Sequence, residues 1–337
     1  MKLGLVLGGG GLVGMGYHAG VLKALDDWGL DVAGADLLVG TSAGSIMASY
    51  MANGWKPTDF FDYAHGKHPD VQKDPEDPTE QLRRVFTPLY RNPADRVRRS
   101  IGSAFALASS RGYYRRLGGG EPGRNLQRAF PAGMYSTEET RRRLEGDLPK
   151  EWPDRALYIC AVDLYSGKRV PFGHPTAPEA SLPEAVLAST SIPGVFPPVR
   201  IGDRRYVDGG ANSATSLDLA TDHGCELILC IAPLGYLNDG ITTTRDPKMW
   251  PPMFIRSLFA RALKREVNAA RARGAKVFVV RPWVSNLKLH GTNSMRAFDR
   301  RELVDNALEG ATRLLEENRD NPVLTGWKRK APKKKAG

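Results

Sequence analysis

Ser42 stands between two glycines in Gly40-Thr41-Ser42-Ala43-Gly44. A serine hydroxyl attacks an ester carbonyl only when a base takes its proton and donors hold the oxyanion that forms. Two other stretches could supply these. Gly8-Gly9-Gly10-Gly11-Leu12-Val13-Gly14 offers bare backbone amides that can point at one anionic spot. Asp208-Gly209-Gly210 puts a carboxylate at a strand end with an open approach, where it can accept a hydroxyl proton. Together the three would perform acyl transfer through a covalent serine ester.

The elements that must position them follow from local pattern. Leu3 to Leu7 is a short apolar run and reads as a buried strand, ended by the glycines. From Met15 or Gly16 to Trp28 the spacing is helical, with Tyr17, Val21, Leu22, Leu25 and Trp28 on one face, and Gly29 ends it. Asp36 to Val39 reads as a second strand, and Ser45 to Ala52 as a second helix stopped by Asn53-Gly54. Strand, glycine loop, helix and strand make a right-handed crossover between parallel strands, with both carboxyl ends on one edge. The glycine loop and Ser42 are therefore expected side by side. A serine on a sharp strand-to-helix turn is the nucleophile-elbow pattern, and Gly40 and Gly44 leave room for the tight turn.

Other uses of these residues read less well. Gly9, Gly11 and Gly14 fit G-x-G-x-x-G, but a dinucleotide site needs an acid at the end of the second strand, and Asp31 and Asp36 both precede that strand. The order Ser42, Asp208, then His223 or His290 fits a serine-histidine-acid hydrolase. In that fold, however, the elbow follows several strands, and here it follows one. His223-Gly224 reads as a helix end, His290-Gly291 as a turn, and His18 as a packing residue inside the first helix. His65 and His68 lie in a polar, proline-containing connection over residues 55–80 that reads as a solvated loop, without a third ligand nearby for a metal. Asp208 alone can act as the base.

Composition narrows the setting. The chain has 337 residues with 41% hydrophobic content, enough for one large α/β domain or two smaller ones. Lys and Arg total 48 against 37 acids, a formal charge of +11 that suits an anionic partner. Residues 81–143 hold fourteen arginines and no lysine, against Asp95, Glu121, Glu138 and Glu139. Val85, Phe86, Leu89, Tyr90, Val97, Ile101, Phe105, Leu107, Tyr113 and Tyr114 are interleaved with them, and Gly118-Gly119-Gly120 marks a break. The stretch reads as helical pieces of a cap that either meets anionic lipid or simply packs on the sheet. Nucleic acid is not expected, because no nucleic-acid module accompanies the charge. Cys160, Cys225 and Cys230 lack metal or redox spacing and read as free thiols in a reducing compartment. Met1-Lys2-Leu3-Gly4 reads as the lead into the first strand, without signal-peptide character, and no run of 18 apolar residues occurs. The expected location is the cytoplasm, with peripheral membrane contact.

Further strands are expected at Arg155–Val162, Glu226–Ala232 and Lys276–Arg281, with hairpins over 163–170 and 200–207. Helices are expected at Leu182–Ser189, Met253–Arg273 and Arg301–Asn318.

The glycine loop, Gly40-Thr41-Ser42-Ala43-Gly44 and Asp208-Gly209-Gly210, in this order and spacing, resemble the patatin-like phospholipase family. Ala188-Ser189-Thr190-Ser191-Ile192-Pro193-Gly194-Val195-Phe196-Pro197-Pro198-Val199, leading to Asp208, is similar to that family's stretch before its acid. The resemblance covers roughly residues 3–220. It implies a three-layer α/β/α fold with a central, mainly parallel sheet, the helical arginine-rich cap being an insertion at about 55–150. Residues 1–220 would form the catalytic core, 221–320 would complete the same domain, and 321–337 would be a basic flexible tail. It further implies lipid acyl-ester hydrolysis without metal or cofactor. Ser42 would be nucleophile, Asp208 base, and Gly9, Gly10, Gly11 and Gly14 the oxyanion loop, supported by Gly40, Gly44, Gly209 and Gly210. Val13 stands where the family loop commonly carries Arg or Lys, so the resemblance supports acyl hydrolysis more firmly than phospholipid preference. A catalytically weak lipid- or membrane-binding protein on the same fold is the alternative.

Overall fold

The structure, a computed structural model, describes residues 1–70, 78–110, 130–237, 250–284, 287 and 299–328. Tyr113, Tyr114, Gly118-Gly119-Gly120, Glu121, His290 and the lysine-rich stretch after Lys328 lie outside the described residues.

Strand β1 (Leu3–Leu7) runs into the glycine loop, helix α1 (Gly11–Asp27), β2 (Leu37–Thr41) and α2 (Ala43–Ala52). β1 and β2 pair in parallel, with Leu7 opposite Gly40, so the loop and the elbow leave the same edge. Helix α1 starts at Gly11, four residues before the apolar periodicity begins, because the loop ahead of it is held by tertiary bonds described below. A helix α3 (Pro57–Ala64) lies where a polar connection was expected. Pro57 occupies its first position, where a missing N–H is harmless, and Asp59 Oδ2 accepts the Lys56 N–H at 2.7 Å. The arginine-rich stretch contributes α4 (Pro78–Val85), α5 (Pro93–Ser110) and α6 (Glu138–Asp147).

The chain then adds β3 (Ala156–Asp163), β4 (Arg169–Phe172), α7 (Leu182–Thr190), β5 (Val199–Ile201), β6 (Arg204–Asp208), α8 (Asp218–Asp222), β7 (Leu227–Ile231), α9 (Trp250–Ala272), β8 (Lys276–Val280), α10 (Arg300–Glu317) and α11 (Pro322–Trp327). The sheet order is β5-β6-β3-β2-β1-β7-β8, with β4 also paired to β3. Strands β3, β2, β1, β7 and β8 are parallel, and β4, β5 and β6 form antiparallel pairs at one side.

Helices cover both faces, so the central strands are apolar throughout rather than alternating. Leu5 and Leu7 pack on one side with Leu22, Leu25, Val304 and Trp327. Val6, between them in sequence, packs on the other with Ile228, Cys230, Leu263 and Val267. The result is the three-layer α/β/α arrangement expected above. Residues 321–328, read with the flexible tail, are instead part of this core. Trp327 is 1% exposed and its carbonyl accepts the Asp31 N–H at 3.0 Å. No helix among the described residues is long and apolar enough to cross a membrane.

Candidate active site

Ser42 is the single residue between β2 and α2 and adopts φ 53°, ψ −123°. A non-glycine residue in the left-handed region is strained by roughly 1–3 kcal/mol, and its surroundings must impose it. Here they do so from every side. The Ser42 N–H donates to Ser189 Oγ at 2.9 Å, and Ser189 Oγ donates to the Cys160 carbonyl at 2.6 Å. The Ser42 carbonyl accepts from Ser45 N at 2.8 Å and from Ser45 Oγ at 2.6 Å. A Cβ at Gly44 would overlap the carbonyl oxygen of Leu7, and one at Gly40 would lie 2.6 Å from Ser45 Cα. The turn closes only with glycine at both places.

Asp208 ends β6. Its position follows from β3, which pairs Thr41 with Cys160 and Asp208 with Ala161, the next residue along. Consecutive residues of one strand therefore hold the serine turn and the carboxylate. The Asp208 N–H donates to the Ser191 carbonyl at 2.9 Å, and Gly210 N–H donates to Asp208 Oδ1 at 2.7 Å. The Ser42 hydroxyl lies near enough to the Asp208 carboxyl to favour its charged form. Burial pushes the Asp208 pKa up from 3.8 to about 6, opposed by the nearby Ser42 hydroxyl and the Gly210 N–H. Both side chains keep a small window to the outside, at 7% and 5% exposure.

The glycine loop lies against the elbow, since a Cβ at Gly9 would sit 3.3 Å from Ser42 Cβ. Its amides are not equivalent. Gly8 N–H donates to the Ile231 carbonyl at 2.9 Å, Gly9 N–H to the Ala214 carbonyl at 2.7 Å, and Gly14 N–H to the Gly10 carbonyl at 2.9 Å. Gly9 and Gly14, expected among the anion donors, have their amides occupied and act as anchors of the loop. Gly10 and Gly11 have no acceptor for their amides among the described residues. Gly11 is the first residue of α1, as Ala43 is of α2, and first-turn amides of a helix have no internal partner. Two helix N-termini thus converge on the serine.

Gly11, Ser42 and Ala43 open into a cavity of about 510 Å³. Leu12, Met15, Ile46, Met47, Trp55, Phe60, Leu187, Ile192 and Phe196 line it, with Arg84, Arg142, Arg143 and Arg300 among its polar wall. A cavity of this size and character suits a largely apolar ligand.

The histidines stand elsewhere. His18 is fully buried in α1, and its Nε2 bonds the Gly8 carbonyl at 2.7 Å. Burial lowers its pKa to about 4, so at neutral pH it is an uncharged donor tethering the loop. His223 caps the end of α8 and bonds the Tyr158 hydroxyl at 2.8 Å through Nδ1. His65 bonds the Phe61 carbonyl at 2.9 Å and lies 3.0 Å from Asp305, while the His68 ring packs 4.5 Å from that of Trp55. No group of three metal-ligating side chains occurs among the described residues. Sequence reasoning did not single out Ser189, which holds the Ser42 amide, or Glu266, which holds the segment after Asp208. Ser189 lay inside the quoted stretch before the acid. Nothing local marks Glu266.

Two comparisons with known proteins returned matches. The chain is similar to VipD from Legionella pneumophila, whose crystal structure superposes with a TM-score of 0.43 at 17% identity over 94% of this chain and 66% of that one. The chain thus spans just under two thirds of the length of that protein. A family model described as patatin-like phospholipase matches residues 5–221, which include the glycine loop, Ser42 and Asp208. With nearly two thirds of its length so matched, the chain belongs to the patatin-like phospholipase family.

Proposed function

We propose that the protein is a lipid acyl hydrolase working through a Ser42–Asp208 pair. The observation that carries this reading is the register on β3, which sets the buried Asp208 carboxyl beside the turn of Ser42, itself opening into an apolar cavity. Asp208 takes the Ser42 proton as Oγ attacks the ester carbonyl carbon. The amides of Gly10, Gly11 and Ala43 receive the negative charge that develops on the carbonyl oxygen. Collapse of the tetrahedral intermediate expels the alcohol, which leaves with the proton from Asp208. A water then gives its proton to Asp208 and attacks the acyl-enzyme. The second collapse releases the fatty acid and returns the proton to Ser42. The apolar walls suit an acyl chain, and the free ends of two helices suit the oxyanion.

The test uses a short-chain nitrophenyl ester and a fluorophosphonate probe on purified protein. Ser42→Ala is expected to abolish labelling, and Ser42→Ala and Asp208→Asn each to reduce turnover by about 10³-fold or more. Turnover equal to the parent in either variant would reject the pair.

Contact with an anionic membrane is proposed as part of the same reading. In α5, Val97, Ile101 and Ala104 recur at helical spacing and are exposed, with Leu107 beside them and Arg96 and Arg98 at the flank. The catalytically weak lipid-binding alternative shares this surface, and the probe separates the two.

A further inference from the structure

Glu266 lies on α9, across the sheet from α1 and α2, and does not touch the proposed dyad. Its carboxylate nevertheless closes a clamp. Ser213 Oγ donates to Glu266 Oε1 at 2.5 Å, and Thr215 Oγ1 donates to Oε2 at 2.6 Å. The Leu217 N–H also donates to Oε2, at 3.2 Å. Ser213 Oγ then accepts the N–H of Thr215 at 3.2 Å and of Ser216 at 2.8 Å. Ser216 is held at φ 52°, and apart from Ser42 it is the one non-glycine residue with positive φ among those described. A left-handed residue persists only where its surroundings over-determine it.

The clamped segment touches both halves of the site. Backwards, it joins Asp208 through the turn Gly209–Ala211, where Asn212 N–H and Ser213 N–H donate to the Gly209 carbonyl at 3.0 and 3.1 Å. Sideways, the carbonyl of Ala214, its second residue, accepts the Gly9 N–H at 2.7 Å. That bond fixes the Gly8–Gly9 peptide, one peptide ahead of the one that carries the Gly10 N–H; the Gly10 and Gly11 amides have no acceptor among the described residues. Removing the carboxylate would leave Ser213, Thr215 and Leu217 N–H without their shared acceptor, and the Ala214 carbonyl without a fixed direction.

We propose that Glu266 is a positioning residue for the oxyanion loop, acting through residues 213–217 and the Ala214–Gly9 hydrogen bond. This rests on the hydrolase reading above. The role differs from general support of the fold, because the clamp reaches Gly9 without passing through the bonds that hold Ser42 or the Asp208 carboxylate.

The experiment compares the parent chain of 337 residues with Glu266→Ala and, as a milder variant, Thr215→Val. Active sites are counted by end-point fluorophosphonate labelling, and nitrophenyl ester kinetics are expressed per labelled site. Glu266→Ala is expected to label to completion but to lose about tenfold to a hundredfold in kcat, since a small misplacement of catalytic donors has effects of that size. KM stays within about twofold, and the acid limb of the pH profile stays where Asp208 sets it. Thr215→Val gives a smaller loss in the same parameter, and serves alone if Glu266→Ala does not fold. Hydrogen exchange supplies a readout independent of turnover: the peptide containing Gly9 exchanges faster in the variants, while that spanning β2 and α2 does not. An unchanged kcat per labelled site, or a loss confined to labelling stoichiometry or KM, overturns the proposal. If the parent itself neither labels nor turns over, the hydrolase reading fails. The exchange result then decides whether Glu266 holds the loop, and unchanged exchange at Gly9 rejects it.

Discussion

Asp208 is a carboxyl group under opposing demands. Burial favours its neutral form, while the Ser42 hydroxyl and the Gly210 amide favour its charge, and burial wins, pushing the pKa up to about 6. A base must be ionised, so turnover is expected to fall below about pH 6 along a single-proton limb, read from kcat/KM against pH. A limb near the ordinary carboxylate value would show that Asp208 does not act in the buried state described. The stability sign follows from linkage. The folded pKa of about 6 lies above the unfolded 3.8, so between these values the folded protein holds the extra proton. This group therefore favours folding at low pH, and its contribution declines as pH rises through the window, by about 3 kcal/mol in all. Asp208→Asn removes the buried charge. Its Tm, relative to the parent, is expected to be higher at pH 8 than at pH 4, although turnover is lost. A Tm difference independent of pH would contradict this. The aspartate was recognisable in sequence because two glycines follow it. Its proton affinity was not, because that depends on everything packed around it.

The elbow depends on the approach of α2 to the end of β1. Gly44 faces the Leu7 carbonyl with no space for a methyl group. Gly44→Ala is expected to lower stability by about 2 kcal/mol or more, read from denaturant unfolding, since overpacking a closed contact has effects of this order. Gly146 in α6 is the control. A Cβ there meets nothing within 4 Å, so Gly146→Ala should be neutral or stabilising by up to about 1 kcal/mol. Equal effects at the two sites would show that the elbow is looser than its contacts imply. The strands and the helices α1, α2, α7, α9 and α10 were legible because an apolar period runs through each. Helices α3 and α11 were not, because each is short and opens on a proline, Pro57 or Pro322, that also reads as a loop. The start of α1 was misplaced for another reason. Four glycines in a row have no helical preference, and Gly11 joins the helix because the Gly8 and Gly9 amides and the Gly8 carbonyl are bonded to distant residues.

At the scale of the molecule, charge and exposed apolar groups coincide on the cap. The chain carries +11, and α5 shows solvent Val97 at 61% and Ile101 at 47% exposure beside its arginines. Apolar side chains entering a lipid interface gain roughly 25 cal/mol per Å² removed from water, and each nearby arginine adds about 1 kcal/mol on an anionic leaflet. The parent is expected to co-sediment with vesicles of mixed phosphatidylglycerol and phosphatidylcholine, and less so in high salt. Val97→Asp with Ile101→Asp should weaken that binding by about tenfold or more without changing hydrolysis of a soluble ester. Binding unchanged by the double substitution would place the membrane face elsewhere.

The sequence by itself determined the family, the order of strand, glycine loop, helix and elbow, and the neighbourhood of the loop and Ser42. These follow from short-range rules: apolar period, glycine spacing and the handedness of a parallel crossover. Only the tertiary structure decided that the end of β6, with Asp208, lies beside the turn of Ser42. The two are brought together by the register of Thr41 and Asp208 on adjacent positions of β3, and no local preference encodes a register between segments so far apart. The same holds for the glycine amides. Gly9 and Gly14 looked no different from Gly10 and Gly11 until the Ala214 and Gly10 carbonyls were in place to occupy their N–H groups. Which donors remain free depends on where every acceptor ends, and that is settled by the packed chain as a whole.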